Sequence, residues 1–195
     1  MTDAVDSDPQ VKSLTFATLR SFAPKYLGLE PYDAVRGRIG VETRALLDDA
    51  EPGSWIPETA MHEVLTAIHE GPLAGDDDGF VRFARALAHE GITRFMRIFL
   101  SLASARFVLK RVPVVWKRLR RNAGEVVVTV EGERVGIRYE GFPFFGTATY
   151  RLLSLANCQA LAHAATSRFP VGTIADWSED TLLLEFDLAA SADED

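Results

Sequence analysis

The sequence contains one cysteine, Cys158, among its 195 residues. A single thiol forms neither an internal disulfide framework nor a zinc site built from several cysteines. No apolar run reaches the roughly 18 residues that a membrane span requires. The first ten residues are acidic and polar, unlike a signal or transit peptide. These absences predict a cytoplasmic protein that holds no metal and makes no membrane contact.

Catalytic motifs are missing as well. The chain has no Gly-x-Ser-x-Gly, no P-loop and no Gly-x-Gly-x-x-Gly. The histidines lack the short helical spacing of zinc pairs; they are His62, His69, His89 and His163. His89, on an apolar predicted helix, is the best candidate if one histidine were to ligate a heme. The sequence therefore predicts a protein that is not an enzyme and that uses no cofactor.

Positive charge is concentrated in one stretch of a chain whose net charge is −7. Residues 104–121 contain no acidic residue and carry Arg106, Lys110, Arg111, Lys117, Arg118, Arg120 and Arg121. The stretch is either a solvated helix face favoured by the helix dipole or a surface for an acidic protein partner or a second copy. Because the whole chain is acidic, we expect no nucleic-acid partner.

The order of elements predicts the fold class. Helices are expected over residues 10–27, 31–47, 57–69, 80–102 and, after a break at Pro113, 113–121. Alternating apolar residues then predict strands over 125–131, 135–140, 171–176 and 181–188, with a helix over 147–167 between the two pairs. This order is typical of an α+β fold: an N-terminal helical bundle followed by a β-β-α-β-β antiparallel sheet with one helix packed on one face. We expect a single two-lobed domain over 10–188 (10–121 mainly helical, 122–188 ββαββ), a disordered tail over 1–9 and an acidic tail over 189–195.

Aromatic side chains gather where the helical and sheet parts are expected to meet. The candidate ligand-binding residues are Phe95, Phe99, Trp116, Tyr139, Phe142 and Tyr150. They either line an apolar ligand pocket or form the core between two layers. The candidate partner-binding residues are Lys117, Arg118, Arg120 and Arg121 of the basic stretch, together with Phe144 and Phe145 of an aromatic loop.

Four short segments resemble an uncharacterised protein family that is expanded in myxobacteria. They are Trp55-Ile56-Pro57, residues 105–113 followed by Trp116, Gly124-Glu125-Val126 and Gly141-Phe142-Pro143. The C-terminal half is also similar to the part shared by heme-NO-binding domains and 4-vinyl-reductase-like domains, which are ligand-sensing modules of bacterial regulators.

This resemblance implies a non-enzymatic regulatory or sensory module that binds a small apolar ligand between helices and sheet. The alternative is a protein–protein adaptor or scaffold without a ligand. The chain lacks the Tyr-x-Ser-x-Arg motif with which heme-NO-binding domains hold the heme propionates, since residues 150–154 read Tyr-Arg-Leu-Leu-Ser. It also lacks the several cysteines of zinc-binding vinyl-reductase-like domains, so we expect neither heme nor zinc.

Overall fold

The computed structural model describes residues 8–92 and 103–191. Two candidate ligand-binding residues, Phe95 and Phe99, lie outside these ranges, as does most of the predicted N-terminal tail. No helix within the described ranges is long and apolar enough to cross a membrane.

The N-terminal part is helical, as predicted, although several helix boundaries differ, and the end of the helix predicted over 80–102 lies outside the described residues. It contains α1 (Ser13–Leu27), α2 (Leu29–Arg38), α3 (Val41–Asp49), α4 (Glu58–Glu70) and α5 (Asp77–Gly91). The prediction of one helix over 31–47 was wrong. Extended backbone at Ile39 and Gly40, with ψ angles of 151° and 158°, separates α2 from α3.

A small three-stranded sheet joins distant parts of the chain. Its strands are β1 (Gln10–Lys12), β2 (Trp55–Pro57) and β3 (Arg120–Arg121), and β1 pairs antiparallel with both others. Residues 10–12 were predicted to begin a helix, because a three-residue strand is too short to show a period of two. The sheet brings the start of α4 next to the end of the basic stretch.

The basic stretch forms two short helices, α6 (Ala105–Leu109) and α7 (Val112–Leu119). The side chain of Ser104 caps α6 by accepting a 3.2 Å hydrogen bond from the amide of Phe107. Pro113 lies in the first turn of α7, where its missing N–H costs nothing. The break predicted near Pro113 is therefore present.

The C-terminal part is a four-stranded antiparallel sheet in the order β4-β5-β7-β6. Its strands are β4 (Glu125–Glu131), β5 (Arg134–Glu140), β6 (Pro170–Trp177) and β7 (Thr181–Ser191), and α8 (Ala148–Thr166) connects the two pairs. The predicted α+β fold class is confirmed. Residues 189–191 belong to β7, so the predicted acidic tail does not begin at 189.

Helix α8 is the central layer of the domain. On one side, Arg85 of α5 donates a 2.9 Å hydrogen bond to the side-chain oxygen of Gln159. On the other side, Tyr139 of β5 lies 3.4 Å from the sulfur of Cys158. The opposite face of the sheet is exposed to solvent, at Val127 and Arg138 for example. Side chains of the helical part and of the sheet therefore meet at α8.

Candidate functional site

The described candidate ligand-binding residues meet in one buried group of aromatic rings, which we call the ring cluster: Trp116, Tyr139, Phe142, Phe145 and Tyr150. Ring centroids lie 5.1 Å apart for Trp116–Tyr139, 5.2 Å for Trp116–Phe142 and 5.3 Å for Phe142–Tyr150. Edge-to-face contacts at such distances are favourable packing. These rings therefore fill the space between α7, α8 and the sheet instead of lining a void there.

A buried ion pair lies beside the ring cluster. Glu58 is fully buried, and its carboxylate accepts hydrogen bonds of 3.2 Å from both Nε and Nη2 of Arg120. The hydroxyl of Tyr150 donates to Oε1 of Glu58 at 2.7 Å. The guanidinium of Arg120 also lies 4.4 Å from the ring centroid of Trp116. Each buried charge thus has a partner, as a low-dielectric interior requires.

Secondary structure positions the three members of this network. Glu58 is the first residue of α4, Arg120 lies in β3, and Tyr150 is in the first turn of α8. Burial alone lowers the pKa of Arg120, but the negative charge of Glu58 outweighs it, so the pKa is raised. Burial raises the pKa of Tyr150 well above its usual range. The network therefore consists of a fixed charge pair and a neutral phenol.

His62 lies one helical turn beyond Glu58 and packs against the edge of this region. Its ring centroid is 5.3 Å from that of Phe144 and 5.7 Å from that of Tyr150. Its Nε2 atom is buried and has no hydrogen-bond partner within residues 8–92 and 103–191. Burial lowers the pKa of His62, although the charges of Glu58 and Glu70 oppose the shift. A neutral imidazole with an unsatisfied ring nitrogen therefore faces aromatic side chains.

The loop between β5 and α8 holds Phe144 in place. The amides of Phe142 and Gly146 donate to the carbonyls of Asp180 and Glu179, at 3.1 Å and 3.2 Å. The hydroxyl of Thr147 donates to the Phe144 carbonyl at 2.8 Å. The backbone is thus tied at both ends, while the side chain of Phe144 is only half-buried. Phe144 and His62 therefore both keep partial access to solvent in this region.

The candidate partner-binding residues are not brought together. Phe145 is fully buried in the ring cluster, and Arg120 is buried in its pair with Glu58. These two assignments were wrong, because a sequence run does not show which side chains point inward. Arg121 is exposed, but its Nε donates a 2.6 Å hydrogen bond to Gln10. Lys117 and Arg118 remain exposed on α7.

The other histidines lie away from this region. His69 contacts the carboxylate of Asp77 at 3.0 Å and the ring of Phe80. His89, the candidate heme ligand, pairs with His163 at 6.1 Å between ring centroids. In the described part of the chain, no three His, Cys, Asp or Glu side chains form a group that could hold a metal ion.

An open depression lies far from the ring cluster, on the solvent face of the sheet. It has a volume of about 430 Å³ and is bordered by Thr129, Gly136, Thr173 and Glu185 among others. None of the described candidate ligand-binding residues, Trp116, Tyr139, Phe142 and Tyr150, lines it. We therefore regard the His62 region as the stronger candidate site.

The sequence did not lead us to propose Glu58 or His62 as a site residue, although His62 was weighed as a metal ligand. Glu58 follows Pro57 at a predicted helix start, where an acidic residue is ordinary. His62 lies within a predicted amphipathic helix, where a histidine is unremarkable. Only their long-range partners, Arg120 and Tyr150, distinguish them. A pattern along the chain carries no such information.

No family model matches this sequence, and a search of the curated proteins finds no match. Solved structures do match. The Fe(II) unliganded H-NOX protein from K. algicida aligns with a TM-score of 0.64 at 12% identity, over 90% of this chain and 95% of that chain. An oxygen-binding H-NOX domain related to soluble guanylate cyclases aligns with a TM-score of 0.61 at 11% identity, over 91% and 95%.

A third structure of the H-NOX family, studied for heme distortion, has a TM-score of 0.62 at 12% identity and covers 94% of this chain and 97% of that chain. The likeness extends through the N-terminal helices, whereas the sequence resemblance concerned the C-terminal half. The resemblance to the myxobacterial family and to vinyl-reductase-like domains stays a prediction. Over most of its length, this chain has the fold of the H-NOX domains.

Proposed function

We propose that this chain is a non-enzymatic regulatory module that senses a small, mainly apolar ligand at the junction of helices and sheet. The observation that carries the proposal is the buried Nε2 atom of His62, which has no hydrogen-bond partner among the described residues and belongs to a ring that packs against those of Phe144 and Tyr150. An unsatisfied buried polar atom is costly unless a function retains it. A ligand that supplies the missing hydrogen bond removes that cost.

The surroundings of His62 specify the chemistry of this ligand. Aromatic rings on two sides favour an apolar body, and one free ring nitrogen favours a single hydrogen-bonding group. The half-buried side chain of Phe144 is the element that must move to admit such a molecule. Rotation of one side chain on a fixed backbone is sufficient, because the loop is held by hydrogen bonds at both ends.

The described residues do not fit a heme. A heme needs an axial ligand and a flat apolar slot, but the rings of Trp116, Phe142 and Tyr150 pack against one another in that space. The buried cation nearest to the rings, Arg120, is already bound by Glu58. The propionates of a heme would have to compete with this carboxylate.

The proposal that the module is not an enzyme rests on the state of its buried titratable groups. Burial raises the pKa of Tyr139 and Tyr150 well above the usual range and that of Cys158 to about 12. Acid–base or nucleophilic catalysis near neutral pH needs shifts toward neutrality instead. These groups are suited to packing and not to proton transfer.

Native mass spectrometry of gently purified protein, with an absorbance spectrum of the same sample, is the first test. We expect a bound small molecule and no heme band. Phenol and toluene then serve as matched probes, because they have similar shapes and differ in one hydroxyl. Wild-type protein should prefer phenol by about three- to tenfold, the effect of one hydrogen bond.

Two variants test whether His62 is the residue that makes the protein prefer phenol to toluene. His62→Phe should abolish the preference for phenol, whereas His89→Gln, at the separate histidine pair, should retain it. Equal binding of both probes by wild-type protein, or an unchanged preference in folded His62→Phe, would count against this site. A heme band that grows on addition of hemin and is lost in His62→Phe would overturn the packing argument.

A further inference from the structure

Helices α6 and α7 together present two contrasting sides. Val108, Leu109, Val112 and Trp116 are buried against the rest of the domain. Lys110 and Arg111, which link the two helices, keep right-handed helical backbone angles. Despite the break between α6 and α7, helical spacing is therefore roughly kept from residue 105 to residue 119, and the side opposite the buried residues faces solvent.

The exposed side carries alternating aromatic, aliphatic and basic residues. We call it the basic–apolar face, and it comprises Phe107, Lys110, Arg111, Val114, Lys117 and Arg118. Phe107 is 52% exposed and Val114 is 47% exposed. Residues 107, 111, 114 and 118 follow one helical stripe, with spacings of four, three and four. The guanidinium of Arg111 lies 5.1 Å from the ring centroid of Phe107, which confirms that they are neighbours.

The cations of this face are largely unneutralised. Lys110 and Arg118 form no ion pair with any residue that the structure describes, and Lys117 reaches only Glu125, at 4.0 Å and with both side chains exposed. Such an exposed pair contributes little. By contrast, Arg106 forms a 2.6 Å bridge to Glu133 and lies outside the face.

We propose that the basic–apolar face docks an acidic amphipathic segment of a partner protein. Two apolar side chains seven residues apart on a helix lie about 10 Å from each other along its axis. They would anchor two apolar residues of the partner, while the interleaved cations pair with its carboxylates. The proposal is independent of the ligand site at His62.

Charge distribution favours a short acidic protein segment over other polyanions. Seven of the 21 basic residues lie between positions 104 and 121, where no acidic residue occurs, so the rest of the chain has 14 basic against 28 acidic residues. A duplex nucleic acid or an anionic membrane extends beyond a patch of this size and meets that acidic surface. A segment of two or three helical turns interacts with the basic–apolar face alone, within a Debye length of about 8 Å.

A defined peptide tests the proposal. The probe is a fluorescein-labelled helical peptide with leucines at positions i and i+7 and glutamates between them, and a matched peptide has lysines in place of the glutamates. Fluorescence anisotropy with the full-length chain should show binding of the acidic peptide only. Binding should weaken with added salt, because the carboxylate–cation contacts are exposed.

Variants locate the binding surface. Arg111→Glu combined with Arg118→Glu should weaken binding about tenfold or more, because attraction becomes repulsion. Val114→Ser should weaken it several-fold through loss of an apolar anchor. Lys25→Glu and Leu29→Ser, an exposed cation and a 74% exposed apolar residue elsewhere, are the matched controls and should change nothing. Circular dichroism confirms that each variant is folded.

Four results would overturn the inference. One is absence of binding by the acidic peptide at low salt, and another is equal loss of binding in the control variants. The third is binding of phosphatidylserine vesicles or duplex DNA with the same dependence on Arg111 and Arg118, which would assign the face to a membrane or a nucleic acid. The fourth is a concentration-dependent dimer that Val114→Ser abolishes, which would show that the face binds a second copy of the chain instead of a partner protein.

Discussion

The carboxylate of Glu58 and the guanidinium of Arg120 form a two-point ion pair in the interior, although they are 62 residues apart in sequence. The pair joins the first turn of α4 to β3, and the hydroxyl of Tyr150 adds the start of α8. Three elements are therefore fixed relative to one another by polar contacts that water cannot replace. His62 lies one turn further along α4, so this junction also fixes its position.

Removing one partner of this pair should be strongly destabilising. Glu58→Gln leaves the buried Arg120 charge without its counterion and should lower the free energy of unfolding by about 3–5 kcal/mol. The double variant Glu58→Gln with Arg120→Met should lose less than the sum of the two single losses, because neither charge then remains buried alone. Urea unfolding followed by circular dichroism measures all three values.

The Arg36–Asp48 pair provides the matched control. It also forms two hydrogen bonds, but its side chains are 30% and 32% exposed. Asp48→Asn should therefore cost no more than about 1 kcal/mol. A similar cost for Asp48→Asn and Glu58→Gln would show that burial does not determine the strength of the internal pair.

Two turn glycines should respond differently to the same substitution. Both have positive φ angles, +68° at Gly124 and +60° at Gly132. Alanine at Gly132 meets no atom within 4 Å, so only the backbone conformation is penalised, by about 1 kcal/mol. A Cβ at Gly124 would lie 1.9 Å from the carbonyl oxygen of Glu140, so the loss should be several times larger. Thermal unfolding of both variants measures the two losses of stability. Equal losses would contradict the close approach of Gly124 to the Glu140 carbonyl.

Cys158 should be unreactive in the folded protein. Burial raises the pKa of its thiol to about 12 from an ordinary value of 9.0, so the thiolate is scarce at pH 8. The unfolded chain ionises first, so the contribution of Cys158 to stability is complete below pH 9.0 and is lost between 9.0 and about 12. Iodoacetamide labelling at pH 8 should be negligible without urea and complete with it. Cys158→Ala should lose less stability than wild type across the alkaline window, and rapid labelling of folded protein would refute the burial.

His62 should make stability fall in acid. Because burial lowers its pKa in the folded state below the ordinary 6.5, the unfolded chain binds the proton more readily. Its contribution is therefore complete above pH 6.5 and is lost as the pH falls through the lower folded pKa. As the pH falls below 6.5, the unfolding free energy of wild type should therefore decrease more than that of His62→Phe. A difference that is independent of pH would mean that the ring nitrogen is not desolvated.

The hairpin of β4 and β5 illustrates what local pattern can predict. Val126, Val128 and Val130 alternate with Glu125, Val127, Thr129 and Glu131, and Gly132 supplies the positive φ of the turn. Strand positions and pairing follow from these few residues. The small sheet of β1, β2 and β3 shows the opposite case, because each strand has three residues or fewer and pairs with segments about 45 and 110 residues away.

The sequence by itself determined the α+β class, the order of most elements and the basic composition of residues 104–121. These depend on periodicity and composition, which are local properties of the chain. Only the tertiary structure decided that Arg120 is buried against Glu58 while Arg118 faces solvent, and that Phe145 is in the core while Phe144 is half-exposed. The reason is physical: whether a charge or a ring is buried depends on the partner that distant residues supply, and neighbouring residues in the sequence do not specify that partner.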